Sequence, residues 1–157
     1  MNRTHILLII AGLLLLSLLV MYLAEKRAKT KKQKEVLKKL EQIGTLEKDG
    51  KNYFLIIGDQ QIQIIFLALR LGEYLTINSP TMMQIDRGRD KPLLIRYNYE
   101  NPPYKWLFTV PGMNRVKRVI NESEVVFINY QTGFSNFKVI KEDEVDLLIE
   151  EYKKGSN

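Results

Sequence analysis

The chain has 157 residues, with 24 Lys and Arg against 18 Asp and Glu, one His and no Cys, a formal charge of +6 and a pI near 9.4. Without cysteine it has no disulfide, thiolate metal site or cysteine nucleophile. Its sole histidine, His5, lies outside the soluble part, which excludes histidine-dependent catalysis and the common His-bearing zinc sites there.

Residues 6–24 are an apolar run relieved only by Gly12, Ser17 and Tyr22. As a helix rising about 1.5 Å per residue the run spans roughly 28 Å, close to the ~30 Å hydrocarbon core of a bilayer. A helix satisfies its own backbone groups in lipid, so it is the natural spanning form. The run is longer than a signal-peptide core and exits through Met21-Tyr22-Leu23-Ala24, bulky where a cleavage site needs small residues. It reads as a retained transmembrane helix behind a short tail, residues 1–5.

Residues 25–43 read as a basic juxtamembrane helix continuous with the span. They carry Lys26, Arg27, Lys29, Lys31, Lys32, Lys34, Lys38 and Lys39. The excess of Lys and Arg belongs on the cytoplasmic side, so the N-terminus is expected outside and the C-terminal domain inside. Residues 1–39 carry a balance of +7 and residues 40–157 a balance of −1. The basicity therefore sits beside the membrane, where each Lys or Arg near an anionic leaflet contributes about 1 kcal/mol. Lys26, Arg27, Lys29, Lys31, Lys32 and Lys34 are the expected contacts to the anionic inner leaflet. Val36, Leu37, Leu40 and Ile43 form a stripe predicted to dock the helix on the following domain, and Gly44 reads as its C-cap.

Residues 44–157 read as a small β-rich soluble domain. Asp49-Gly50 between two short runs signals a hairpin. Residues 61–71 fit a strand at their start, while Ile62, Ile65, Phe66 and Leu69 equally fit one face of a helix. Further strands are predicted at 74–78, 82–86 (an edge), 92–99 and 104–110. Residues 113–120 suggest one or two helical turns, and residues 125–130 and 136–140 a pair around Gln131-Thr132-Gly133. A helix over 142–154 closes the chain, acids at its start and lysines at its end, as the helix dipole prefers. The sum is an α+β fold with a mainly antiparallel sheet of about seven to nine strands.

Residues 87–118 hold eight Lys and Arg against Asp90 and Glu100, interleaved with Tyr97, Tyr99, Tyr104, Trp106 and Phe108. Basic grooves with aromatic platforms hold single-stranded nucleic acid, and Arg115, Lys117 and Arg118 would be the contacts. Alternate aromatics are, however, what strands bury, and the acidic run over 142–151 is a ready intramolecular counterweight. Asp59, Glu73, Asp86, Asp90, Glu100, Ser79 and Ser135 are the available carboxylates and hydroxyls, and their spacing fits no calcium loop or P-loop. No cofactor site or catalytic constellation is assigned. The expected function is a single-pass membrane protein whose domain binds a protein partner, or its own copy, at the inner membrane face. A membrane-tethered nucleic-acid-binding domain and a carboxylate- or metal-dependent hydrolase are the alternatives.

Overall fold

A computed structural model describes residues 3–70, 72–79, 81–88, 90–96, 104–111, 116–121, 124–134 and 137–155. Helix α1 runs Arg3–Leu40 without a break, so the apolar run and the basic stretch share one 38-residue helix. It closes with tightened 3₁₀-type bonds, Gln42 N–H to the Lys39 carbonyl and Ile43 N–H to the Leu40 carbonyl. Gly44 is not the left-handed cap expected of it, since its φ lies outside that region. It is needed for a close approach instead: a Cβ there would run into the Ile56 carbonyl oxygen and meet the Leu55 and Ile57 side chains at 3.0 Å.

The strands follow as β1 (Thr45–Asp49), β2 (Asn52–Ile57), β3 (Gln60–Leu67), β4 (Tyr74–Ser79), β5 (Met82–Arg87), β6 (Asp90–Arg96), β7 (Tyr104–Thr109), β8 (Val116–Asn121), β9 (Glu124–Phe127), β10 (Gly133–Phe134) and β11 (Phe137–Lys141). A 3₁₀ turn, Glu142–Glu144, leads into helix α2, Val145–Gly155. The predicted hairpin is present, with Asp49 paired to Asn52 and Gly50 at φ 57°. The strand alternative holds for residues 61–71 as far as Leu67.

The strands form two sheets rather than one. The first has the order β1-β2-β3-β7-β11-β10 and the second β6-β5-β4-β8-β9. Among the described residues six ladders are antiparallel, and three are parallel: β3 with β7, β7 with β11, and β4 with β8. The fold is thus α+β and mainly antiparallel, with four corrections. Strand β5 is interior, flanked by β4 and β6, so the edge is β6. Residues 116–121 are a strand, not helical turns, because β-branched Val116, Val119 and Ile120 suit the ladder that places Val116 beside Leu75. Residues 125–130 and 136–140 do not pair: β9 lies against β8 in the second sheet, and β11 against β7 in the first. The polar stretch 87–91, which reads as a loop in sequence, belongs to strands at both ends, Arg87 of β5 being paired with Asp90 of β6.

The first sheet is the middle layer. On one face Leu55, Ile62, Ile64, Trp106, Phe108 and Ile140 pack with Val36 and Leu40 of α1 and with Val145, Leu148 and Ile149 of α2. On the other, Leu107, Phe137 and Val139 meet Leu75, Ile77, Met83, Ile85 and Val116 of the second sheet. Strand β7 is buried on both faces, as its central Trp106-Leu107-Phe108 and two parallel neighbours require.

Thr109 lies at the end of β7, fully buried, and its hydroxyl finds no partner. An unmade buried hydrogen bond costs about 1–3 kcal/mol, whereas an apolar group of the same shape costs nothing comparable. Thr109→Val is expected to stabilise the protein by about 1 kcal/mol, read as a higher midpoint in urea unfolding of the detergent-solubilised chain. A lower midpoint would show the hydroxyl to be satisfied.

Candidate interaction and anchoring site

Between Leu7 and Leu23 the large apolar side chains of α1 are exposed, and none of its most apolar window is buried in the protein. Among the described residues it is the one helix long and apolar enough to cross a membrane. Soluble domains do not leave a bare apolar cylinder of this length in water. This supports a single-pass membrane anchor. Ser17 Oγ donates to the Leu14 carbonyl at 2.8 Å, so the one hydroxyl midway along the run is satisfied within the helix.

The other end of α1 is keyed into the domain. Val36 and Leu40 are buried, Leu37 and Ile43 pack at the margin, and the predicted docking stripe is therefore present. Around it stand three polar ties: Lys32 to Glu142 at 2.6 Å, Lys39 to Asp146 at 2.6 Å, and Lys153 Nζ donating to Gln42 Oε1 at 2.6 Å. Exposed ion pairs of this kind contribute about 0–1 kcal/mol each, less than the roughly 2–3 kcal/mol from burying one leucine. The apolar stripe sets the joint and the ion pairs orient it. Glu142 and Asp146 of the acidic run thus answer the stalk, and Glu144 pairs with Lys141, whereas the run was expected to counter the basic segment 87–118. Those counterions were invisible in sequence, although the acid-rich start of α2 was the available signal. Beside the joint lies an open cavity of about 780 Å³ lined by Gln42, Ile43, Ile57, Glu151, Tyr152 and Lys153.

Among the described residues, two of the aromatics expected in a nucleic-acid platform are not on the surface. Trp106 and Phe108 are core residues, Trp106 in edge contact with Tyr152 at 5.3 Å and Phe108 in tilted contact with Phe66 at 5.8 Å. Lys105 is buried too, which lowers its pKa. Lys117 is engaged with Asp86 at 3.6 Å and sits 6.0 Å over the Tyr74 ring. Arg118 is exposed on the neighbouring position of β8, while Arg115, Tyr97, Tyr99, Glu100 and Ser135 lie outside the described residues.

The carboxylates serve local structure. Asp86 accepts from Thr76 Oγ1 at 2.6 Å and Gln84 Nε2 at 2.7 Å, and Asn78 Nδ2 donates to Gln84 Oε1 at 2.9 Å. This ladder satisfies the outer face of the second sheet. Glu73 accepts from the Arg70 amide and pairs with Arg87 at 3.3 Å. Ser79 lies 3.3 Å from the Thr81 hydroxyl, and Asp59 is exposed in a turn. Among the described residues no group of three or more His, Asp or Glu is placed to hold a metal ion.

Sequence reasoning missed the apolar edge of the second sheet. In β9, Val125 is 51% exposed, Val126 41% and Phe127 70%. Register places Val125 and Phe127 opposite Val119 and Lys117, and Val126 opposite Arg118. The signal available was a Val-Val-Phe run that alternation alone could not assign to a buried pair.

Two tyrosines report on the joint. Burial raises the pKa of Tyr152, with the Glu151 charge adding to it, and burial followed by a hydrogen bond to Glu151 raises that of Tyr130. A phenol whose folded pKa lies above its unfolded value of about 10 stabilises fully below that value, and the contribution is lost as pH rises through the folded pKa. Lys105, shifted down, acts oppositely, its burial penalty easing as pH climbs toward 10.5. The Tyr152→Phe variant isolates the phenol: stability is expected to fall less steeply above pH 10 than in the parent, in thermal unfolding between pH 8 and 11. Parallel curves would remove Tyr152 from the titration. No protein-family model, curated protein or solved structure matches the chain, so function is read from this geometry.

Proposed function

We propose that the chain is a single-pass membrane protein with its N-terminus outside and its β-rich domain on the cytoplasmic side, where the domain acts as an interaction or assembly module. The orientation rests on the cations that follow the span. Lys26, Arg27 and Lys29 stand within about 8 Å of Ala24 along the helix axis, inside the headgroup layer, and are the lipid contacts this reading favours. Lys31, Lys32 and Lys34 stand progressively farther out, and Lys32 already has Glu142 as its partner.

The observation that carries the interaction reading is the state of the four sheet edges. Strand β1 is blunted by Glu47, Lys48 and Asp49, β10 has two residues, and β6 contains Pro92, which cannot donate to a ladder. Strand β9 has no such device after Glu124, and its side chains are apolar and exposed. An unprotected apolar edge is the form that accepts an added strand.

Two measurements test this. A C-terminal reporter active only outside the cytoplasm is expected to stay silent in intact cells, and robust activity would reverse the orientation. Val125→Lys with Phe127→Lys, both on exposed side chains, is expected to lower the recovery of a stoichiometric protein partner, or of the oligomer, several-fold after gentle solubilisation. Unchanged recovery would remove the edge from the assignment.

A further inference from the structure

The stalk part of α1 has two faces, and the domain uses only one. At about 100° per residue, Val36 lies opposite Arg27, Lys31, Lys34 and Lys38, which fall within about 60° of one another. Their spacing of four, three and four residues draws them into one line along the helix. With Lys26 they border a surface groove of about 710 Å³ whose lining Leu23, Thr30 and Glu35 complete. Among the described residues none of these five cations is in an ion pair. We propose that this outward face is the docking face for an acidic helix of a second membrane-anchored protein lying alongside α1. The inference rests on the interaction reading above and names its partner.

The opposite face of the same helix shows what such a contact looks like. There α1 meets α2 through an apolar stripe, and Lys32 and Lys39 take Glu142 and Asp146 across the joint. The outward face offers cations of the same kind, with Glu35 at the margin of the groove, and among the described residues none of the five is paired with an acid. A second copy would bring like charges to that line and is repelled from it.

Lipid does not account for the whole row. Because α1 continues out of the span without a break, Lys34 stands about 15 Å and Lys38 about 21 Å beyond Ala24 along the helix axis. The headgroup layer takes up roughly 5–8 Å of that, and salt screens charge over about 8 Å at physiological ionic strength. The lower cations reach lipid; the upper ones face water. Below them the same line continues into the span through Leu16, Val20 and Leu23, all exposed. Only a partner that itself enters the bilayer can use both parts, which favours a membrane-anchored helix over a nucleic acid.

The test uses the full chain reconstituted in phosphatidylcholine vesicles with a synthetic probe. The probe is a leucine-rich span continued by a helix bearing Glu at the matching four positions, and its control carries Gln there. Energy transfer between labelled chain and probe is expected to show association about tenfold tighter for the Glu probe, the sum of four exposed pairs. That preference is expected to vanish in 0.5 M salt (about a 4–5 Å screening length) and in the Lys31→Glu, Lys34→Glu, Lys38→Glu variant, whose circular dichroism should match the parent. Equal binding of both probes overturns the proposal. So does burial of a dye attached at Glu35→Cys when the chain sits in phosphatidylserine vesicles, because the stalk would then lie on lipid. The vesicles have no cytoplasm, so failure here with a silent topology reporter removes only the stalk inference. An active reporter instead removes the orientation beneath it.

Discussion

The contact of Val36 and Leu40 with the middle sheet governs the rest of the molecule. Because α1 is unbroken from Arg3, the direction the helix takes at that contact is the direction of the anchor. A loop at residue 25 would have left the domain free to tumble at the membrane. A continuous helix instead transmits its attitude, and it holds the first docked turn about 18 Å beyond Ala24. One helix is therefore stable in two solvents for different reasons: in lipid its backbone has no alternative partner, and at the domain its stripe is buried between a sheet and α2. Between those regions the stalk relies on Ala, Lys, Glu and Gln, residues that form helix readily without packing.

Sequence alone showed what is local. The span follows from hydropathy, the β1–β2 turn from Asp49-Gly50, and α2 from the spacing of Val145, Leu148, Ile149 and Tyr152, each resolved within about a dozen residues. Partners distant in sequence were not legible. The parallel ladders join β7 to β3 and β11 across long connections, and nothing in Tyr104–Thr109 names those neighbours. Strand β8 was mistaken for helical turns because Met113, Val116 and Ile120 also match a helical face. In the fold Val116 is buried while Ile120 is 51% exposed, as a strand leaving the core allows. Gly44 illustrates the same divide: its place at a helix end suggested a cap, but its reason lies at Ile56 of β2, twelve positions away.

Charge shows a similar split between amount and address. The sequence located the excess positive charge in residues 1–39, and the structure divides it by helix face. Lys32 and Lys39 are drawn to acids around the start of α2, a contact of more than a hundred residues in sequence. The basic segment 87–118 finds other answers, Arg87 in Glu73 and Lys117 in Asp86. Aromatic interleaving there marked a doubly buried strand, since Trp106 and Phe108 turn to the helices while Leu107 turns to the second sheet. Among the described residues, part of a composition suited to holding nucleic acid thus resolves into a core strand and two surface cations with local acidic partners.

The layer order also separates the two surfaces left open. The helices cover one face of the first sheet and the second sheet covers the other, so β9 belongs to the layer farthest from α1. The cation row points away from Val36, and hence away from both sheets. Sheets stack about 10 Å apart, so a strand added at β9 and a helix beside the stalk stand on opposite sides of the middle sheet. Neither occupant blocks the other. On the proposed reading, a domain joined to its anchor by one continuous helix, with an apolar edge on one side and a cationic helix face on the other, would link a neighbour rooted in the bilayer to a chain approaching from the solvent.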